Sequence, residues 1–190
     1  MASTTISTPA GRFTIVAHGK TVLASGFTED INALVMLIHP ALRDLADADA
    51  ELGAITEPTL AYFDGDIAAI DLIEVEQRST AFIGPAMETL RRVPGGQQVT
   101  YTQLAERAGR PAAVRGAAQA CARNAATLFV PCHRVVRRDG SLGGYRWGLD
   151  IKRWLLAHEL ASTQPMATTQ PTASTQPTAS TDPTASTQPQ

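Results

Sequence analysis

Cysteine is scarce in this chain. Its 190 residues include two, Cys121 and Cys132, too few for a disulfide framework and outside any CxxC or HxxxH spacing that would hold a metal. No metal and no cofactor are expected, and the thiols read as reduced. No apolar run approaches the roughly 20 residues that cross a bilayer. The start, MASTTISTPAGRF, lacks the basic flank and apolar run of a signal peptide. These absences predict a soluble, cytoplasmic protein without membrane association.

Residues 162–190 lack aromatics altogether, hold no aliphatic side chain larger than Ala besides Met166, carry one charge at Asp182, and place a proline every six residues from Pro165 to Pro189. Such a stretch buries too little apolar surface to offset its ordering entropy, so a disordered C-terminal tail is expected. The preceding residues, 1–161, can bury a sizeable core.

The formal net charge of −2 conceals a division. Residues 1–80 hold 4 Lys and Arg against 12 Asp and Glu, whereas residues 81–161 hold 12 basic against 5 acidic side chains, and 11 of those 12 are Arg. Arginine suits phosphate and base stacking, so the second half reads either as a polyanion-binding surface or as a solvated basic face.

In the first half, Arg12 to Ala17 and Thr21 to Phe27 are β-rich runs separated by His18-Gly19-Lys20, a hairpin spacing. Leu34 to Leu45 and Glu51 to Phe63 read as helices, the second ending at Asp64-Gly65, and the β-branched run Ile67 to Val75 reads as a strand. His18 and His39 read as structural. Beyond Thr80 the pattern becomes helical: Phe82 to Val93, then a Pro94-Gly95-Gly96 break, then Thr102 to Ala108 capped by Thr100 or Thr102. Ala112 to Arg123 follows the Gly109-Arg110-Pro111 turn, and two short helices so joined describe a helix-turn-helix. The second helix carries Gly116, Ala117, Ala118 and Ala120 beside Arg115, small residues that allow close approach either to a partner or to the core. Thr127 to Val130 reads as a strand leading into Pro131-Cys132-His133-Arg134. Asp150 is placed to cap a last helix, Ile151 to Leu160. The expected fold is an α/β N-terminal lobe over 1–79, a small sheet with helices, and a mainly α C-terminal lobe over 80–161.

A thiol reacts as thiolate, and its pKa must fall from about 8.5 through a nearby base, cation or helix N-terminus. Cys132, with His133 and Arg134 beside it, has candidate partners, although a buried structural cysteine is the commoner fate and is the reading for Cys121. Neighbours along a strand point to opposite faces, so Cys132 and His133 meet only if the chain turns there.

The run Asn124-Ala-Ala-Thr-Leu-Phe-Val-Pro-Cys132-His-Arg-Val-Val136, followed by Gly144-Tyr145 and by Lys152-Arg-Trp-Leu-Leu-Ala-His-Glu159, resembles the O6-alkylguanine-DNA alkyltransferases. The resemblance is strong over 80–161 and weaker over 8–66, where Ala61-Tyr62-Phe63-Asp64-Gly65 matches. It implies single-turnover repair: the alkyl group, chiefly methyl, moves irreversibly from O6-alkylguanine, and from O4-alkylthymine, in double-stranded DNA to Cys132. By the same resemblance His133 is the base acting through a water, Glu159 orients it, and Asn124 bridges the helix-turn-helix to the active-site loop. The target nucleotide is flipped out of the stack, with Arg115 filling the gap and Tyr101 rotating the nucleotide and protonating the leaving guanine. The small-faced helix, with Gly116, Ala117 and Ala118, enters the minor groove, unlike the usual major-groove docking. The carbonyls of Cys132 and Val135 and the segment Tyr145, Arg146, Trp147 line the guanine pocket. Trp147 is expected to narrow it and favour methyl over benzyl adducts. The protein would act as a monomer. The segment Phe82-Ile83-Gly84-Pro85-Ala86-Met87 departs from the family's Phe-Gln and Val-Trp pattern. Without a cysteine-rich zinc module a transcription-factor role is not expected. A non-catalytic alkyltransferase-like protein would replace Cys132, and a plain helix-turn-helix regulator would leave it structural.

Overall fold

The structure, a computed structural model, describes residues 2–43, 52–79 and 82–164. Three antiparallel strands open the chain, β1 (Ala2–Thr8), β2 (Gly11–His18) and β3 (Thr21–Gly26), in the order β1-β2-β3. The expected hairpin is β2–β3. β1 is an addition: ASTTIST has no apolar run, and as the edge strand it stays half-exposed, sending Ile6 onto the core.

β2 is buried from Phe13 to Ala17 because both faces of the sheet are covered. Side chains alternate across a strand, so Phe13, Ile15 and Ala17 enter the main core while Val16 joins Leu23, Ala24, Leu34, Ile38, Leu42 and Ala125 on the other face. The main core runs on into the second half of the chain. Phe13 packs against Phe129 with ring centroids 6.4 Å apart and against Phe63 at 6.2 Å.

The helix expected from Leu34 breaks into α1 (Ile31–Val35) and α2 (Pro40–Arg43), since Pro40 donates no backbone hydrogen bond and starts a helix better than it continues one. The remainder of that expectation lies outside the described residues. α3 (Gly53–Phe63) ends at Asp64-Gly65, where Gly65 takes φ +111°. The strand expected over Ile67 to Val75 is absent. Ile67–Ile70 is a 3-10 turn, and Ile67, Ile70 and Ile73 are the buried residues, a period of three instead of two. A bridge from Val75 to Val22 and a hydrogen bond from the Thr21 hydroxyl to Glu74 at 3.1 Å join this segment to the sheet.

In the second half, α4 (Ile83–Arg91) is followed by β4 (Val99–Thr100), α5 (Tyr101–Arg107) and α6 (Val114–Arg123). Thr100 caps α5 in a reciprocal box with Gln103. No strand forms over Thr127 to Val130. The chain loops there instead, with Leu128 fully buried at φ +79°, an uncommon conformation for a side chain of that size. β5 (Val135–Val136) lies parallel to β4. The last helix, α7 (Leu149–Thr163), is longer than expected and takes Ser162 and Thr163 out of the expected disordered tail, whose residues from 165 onward lie outside the described ones. Gly148, at φ +98°, occupies the cap position assigned to Asp150, which instead pairs with Arg153. Among the described residues no helix is long and apolar enough to cross a membrane.

Candidate active site

Pro131 leads into a single 3-10 turn, Cys132–Arg134. The turn replaces the strand whose alternation would have set neighbours on opposite faces, and Cys132, His133 and Arg134 are all buried in it. Cys132 is 8% exposed and faces a cavity of about 410 Å³ whose wall includes Tyr101, Ala118, Asn124, Tyr145 and Arg146, a volume within the range of small-molecule sites.

Three chain segments converge on Glu159, which α7 carries into the core with no exposure. Its Oε1 accepts from His133 Nε2 at 2.8 Å, from the Tyr62 hydroxyl at 2.8 Å and from Arg134 Nη2 at 2.7 Å; its Oε2 accepts from Arg134 Nε at 2.9 Å and from the Gly96 N–H at 3.2 Å. Burial by itself would raise this carboxyl, but His133 and the two-pronged Arg134 hold it far below the usual range. Because Arg134 already balances the carboxylate, burial decides the state of His133 and lowers its pKa, leaving a neutral imidazole. With Nε2–H donating to Glu159, the free acceptor is Nδ1, and Nδ1 is buried with no partner. It is an available base.

The thiol is held from the other side. Asn124, at the C-terminal end of α6, donates from Nδ2 to Cys132 Sγ at 3.2 Å and to the Val130 carbonyl at 2.7 Å. Burial pushes the Cys132 thiol up, against the opposing pulls of Asn124 and the Lys152 ammonium. The resting group is therefore a thiol that ionises only when a base takes its proton. A definite pH profile follows for any reaction of this pair. The reactive form, neutral imidazole with neutral thiol, exists between a His133 pKa below 6.5 and a Cys132 pKa above 9.0. The single-turnover rate is expected to be flat from pH 6.5 to 9.0 and to fall below that plateau as His133 protonates. A rate still climbing tenfold per pH unit through neutrality would contradict this assignment.

Several residues singled out in the sequence take other places. On α6, Arg115 and Ala118 are exposed, but Ala117 is fully buried and Ala120 nearly so. Gly116 lies against α4, where a Cβ would sit 2.6 Å from the Phe82 ring. Core packing thus accounts for Gly116, Ala117 and Ala120, and the small outward surface is Ala118 with Ala122. Val135 is buried outside the cavity wall, its carbonyl accepting from Lys152 Nζ at 2.6 Å. Trp147 is not in the cavity wall: its ring packs against Gly26 of β3, and its Nε1 donates to the wall residue Thr127 at 2.8 Å, so it supports the wall from behind. Tyr101 borders the cavity, with burial raising its hydroxyl pKa so that it stays a proton donor. His39 makes a local contact, accepting from the Ala41 N–H at 3.2 Å.

Three participants were not singled out in the sequence, Tyr62, Lys152 and Gln77, and Arg134, a candidate partner of the thiol there, instead pairs with Glu159. Tyr62 and Gln77 belong to the acidic half, which the charge division had left without a role at the site. A fully buried Lys152 bonding the carbonyls of Val135 and Leu142 is likewise invisible to periodicity.

Comparison with known proteins assigns the family. Residues 82–161 match the family model of the 6-O-methylguanine DNA methyltransferase DNA binding domain. The chain is 38% identical over 103 residues to a probable methylated-DNA–protein-cysteine methyltransferase of Acanthamoeba polyphaga mimivirus, covering 54% of this chain and 68% of that protein. The chain belongs to the O6-alkylguanine-DNA alkyltransferase family. Within it, the methylated-DNA–protein-cysteine methyltransferase of Salmonella typhimurium is 41% identical over 107 residues, 56% of this chain, and the match spans 63% of that protein's length. The solved structure of Mycobacterium tuberculosis OGT in complex with DNA superposes with a TM-score of 0.69 at 28% identity, covering 84% of this chain and 93% of that one. The small sheets and, among the described residues, seven α-helices given above form a fold shared with that structure.

Proposed function

We propose that this protein repairs O6-alkylguanine in double-stranded DNA by moving the alkyl group, chiefly methyl, onto Cys132 in one irreversible turnover. The observation that carries the reading is the unpartnered, buried Nδ1 of a neutral His133, in the same turn as a cavity thiol that Asn124 already contacts. A water between them would relay the thiol proton to Nδ1. Sγ attacks the alkyl carbon, the bond from that carbon to O6 breaks, and the guanine leaving group takes a proton from the Tyr101 hydroxyl. The relayed thiol proton on His133 replaces it, so atoms and charge balance. O4-alkylthymine offers the same displacement.

The substrate atom lies inside a base stack, and the cavity beside Cys132 is where an extruded base would sit, between Tyr101, Tyr145 and the 144–146 segment. The pair α5 and α6 would serve as the helix-turn-helix, presenting Arg115 and the Ala118 surface to the minor groove. Arg107, Arg110, Arg123, Arg137, Arg138 and Arg146 are exposed around it, a set suited to phosphates. The reading is of a monomer acting in the cytoplasm, with 1–79 as a supporting lobe, 80–161 as the DNA-binding and catalytic unit, and the residues from 165 as a dispensable tail.

Intact-mass measurement after incubation with a duplex containing O6-methylguanine tests the reading: one methyl group per protein, mapped to Cys132, is expected. Affinity for the same duplex should also fall steeply with salt despite the net charge of −2, with a slope of about −0.9 in log K against log salt for each phosphate contacted. A flat response would refute the arginine-lined surface.

A further inference from the structure

We propose that Gln77 is a positioning residue for the acceptor thiol, acting through Asn124. The proposal rests on Cys132 being the reactive thiol, as above. Gln77 lies in the segment that joins the acidic half to α4, and its amide is polarised by a backbone group: Oε1 accepts from the Ala125 N–H at 2.8 Å. A backbone N–H bonds only to an acceptor, so the Gln77 amide nitrogen must face the other way. There it donates to Asn124 Oδ1 at 3.0 Å. Asn124 Oδ1 accepts a second bond from the Ala126 N–H at 3.1 Å, which turns its own nitrogen toward the Val130 carbonyl and Cys132 Sγ.

Two amides thus stand in series, each with a fixed polarity, between a backbone N–H and the sulfur. Every hydrogen-bonding position of Asn124 that the series uses is filled, and Gln77 supplies one of them from outside the loop that carries the rest. Bonds arranged head to tail polarise one another, so the Gln77 donor strengthens the Asn124 N–H that meets the sulfur. That N–H favours the thiolate over the thiol and is among the few groups opposing the effect of burial on Cys132. Nothing in the composition of the run Glu76-Gln77-Arg78 signals this, because its partner lies 47 residues away.

The test uses Gln77→Glu in the full-length protein. The carboxylate still accepts from Ala125 but cannot donate to Asn124 Oδ1, and it favours rotation of the Asn124 amide that points oxygen at the sulfur. The readout is the pH dependence of Cys132 carbamidomethylation by iodoacetamide, followed by peptide mass, which needs no DNA. The titratable and charged groups around the thiol are Lys152 from α7, Arg146 and Tyr145 from the following loop, Cys121 from α6 and Tyr101 from α5, with His133 next to it in sequence. All are unchanged by the substitution.

Expected is a thiol pKa higher by about one unit, read as a roughly tenfold slower reaction at a fixed pH below it. Gln77→Met, which keeps the length without donor or charge, should move the same way by less and covers the case in which Glu unfolds the protein. In an Asn124→Ala background the Gln77→Glu effect should shrink to about twofold or less. An unchanged thiol pKa in both Gln77 variants would overturn the proposal, and so would an equal effect with and without Asn124, which would mean that the new charge acts directly. If native protein takes up no methyl group from DNA while these titrations behave as expected, the repair reading fails and the role of Gln77 stands. Normal methyl uptake with unmoved titrations gives the reverse.

Discussion

Cys132→Ala is expected to take up no methyl group from an O6-methylguanine duplex under conditions in which the native protein reaches one per molecule. The displacement needs a nucleophile that can shed a proton toward a base, and Cys132 is the cavity thiol next in sequence to His133, whose buried Nδ1 has no partner. The other thiol in the cavity wall, Cys121, offers no substitute. Burial raises its pKa, a cause that persists when Cys132 is replaced. Because thiolate is the reacting species, such a thiol is inert at neutral pH. The loss is expected to be complete, while binding to the duplex persists, since exposed arginines and α6 supply the contacts with DNA in this reading. Labelled methyl groups followed by peptide mapping decide the matter. Label in Cys132→Ala, at Cys121 or elsewhere, would show that the acceptor has been misassigned.

How far the sequence foretold this site depended on whether a residue's role was local. The β2–β3 hairpin shows in two β-branched runs about His18-Gly19-Lys20, and the turn from α5 into α6 shows in Gly109-Arg110-Pro111. Cys132, His133, Asn124 and Glu159 were legible only through the resemblance carried by Pro-Cys-His-Arg-Val and the last helix, for no periodicity places Glu159 against a histidine 26 positions earlier. Tyr62, reaching Glu159 from 97 residues away, had no signal beyond its place in Ala61-Tyr62-Phe63. The small residues of α6 were legible as a demand for close approach but not for what approaches. Gly116, Ala117 and Ala120 meet the core, and a helix that packs tightly on one side and offers Ala118 on the other has the same composition as one that offers everything outward. β1 was missed because an edge strand of Ser and Thr needs no apolar alternation to pair with β2. The run of Ile67, Ile70 and Ile73 was misread because β-branched content suggested a strand while the burial period was three.

Glu159→Ala is expected to cost about 3–5 kcal/mol of stability at pH 7, because it strands Arg134, 2% exposed, without its carboxylate. For a domain of this size that corresponds to a fall of roughly 10 °C in Tm. Neither Arg134 nor the Tyr62 hydroxyl can turn to water from its buried place, so the penalty of an uncompensated charge applies in full. Methyl transfer should slow by about 10²–10⁴-fold as well, the usual worth of a positioned general base, since His133 loses the acceptor that fixes its tautomer. The pH dependence distinguishes this account from a simple packing defect. In the folded protein the Glu159 carboxyl is held well below its ordinary value, so its contribution is complete above an unfolded-state pKa of about 4.3 and is lost as pH falls from there toward the folded value. Native protein should therefore lose stability as it is acidified below that point, and the gap to Glu159→Ala should narrow. His133, whose pKa is also lowered in the fold, adds a further decline below its unfolded value of about 6.5, because the unfolded chain then binds a proton that the folded one does not. Chemical denaturation of both proteins at pH 7 and at pH 4 or below measures the gap directly. A deficit that stays constant across that range would assign the loss to packing and leave the buried carboxylate without the electrostatic role given to it here.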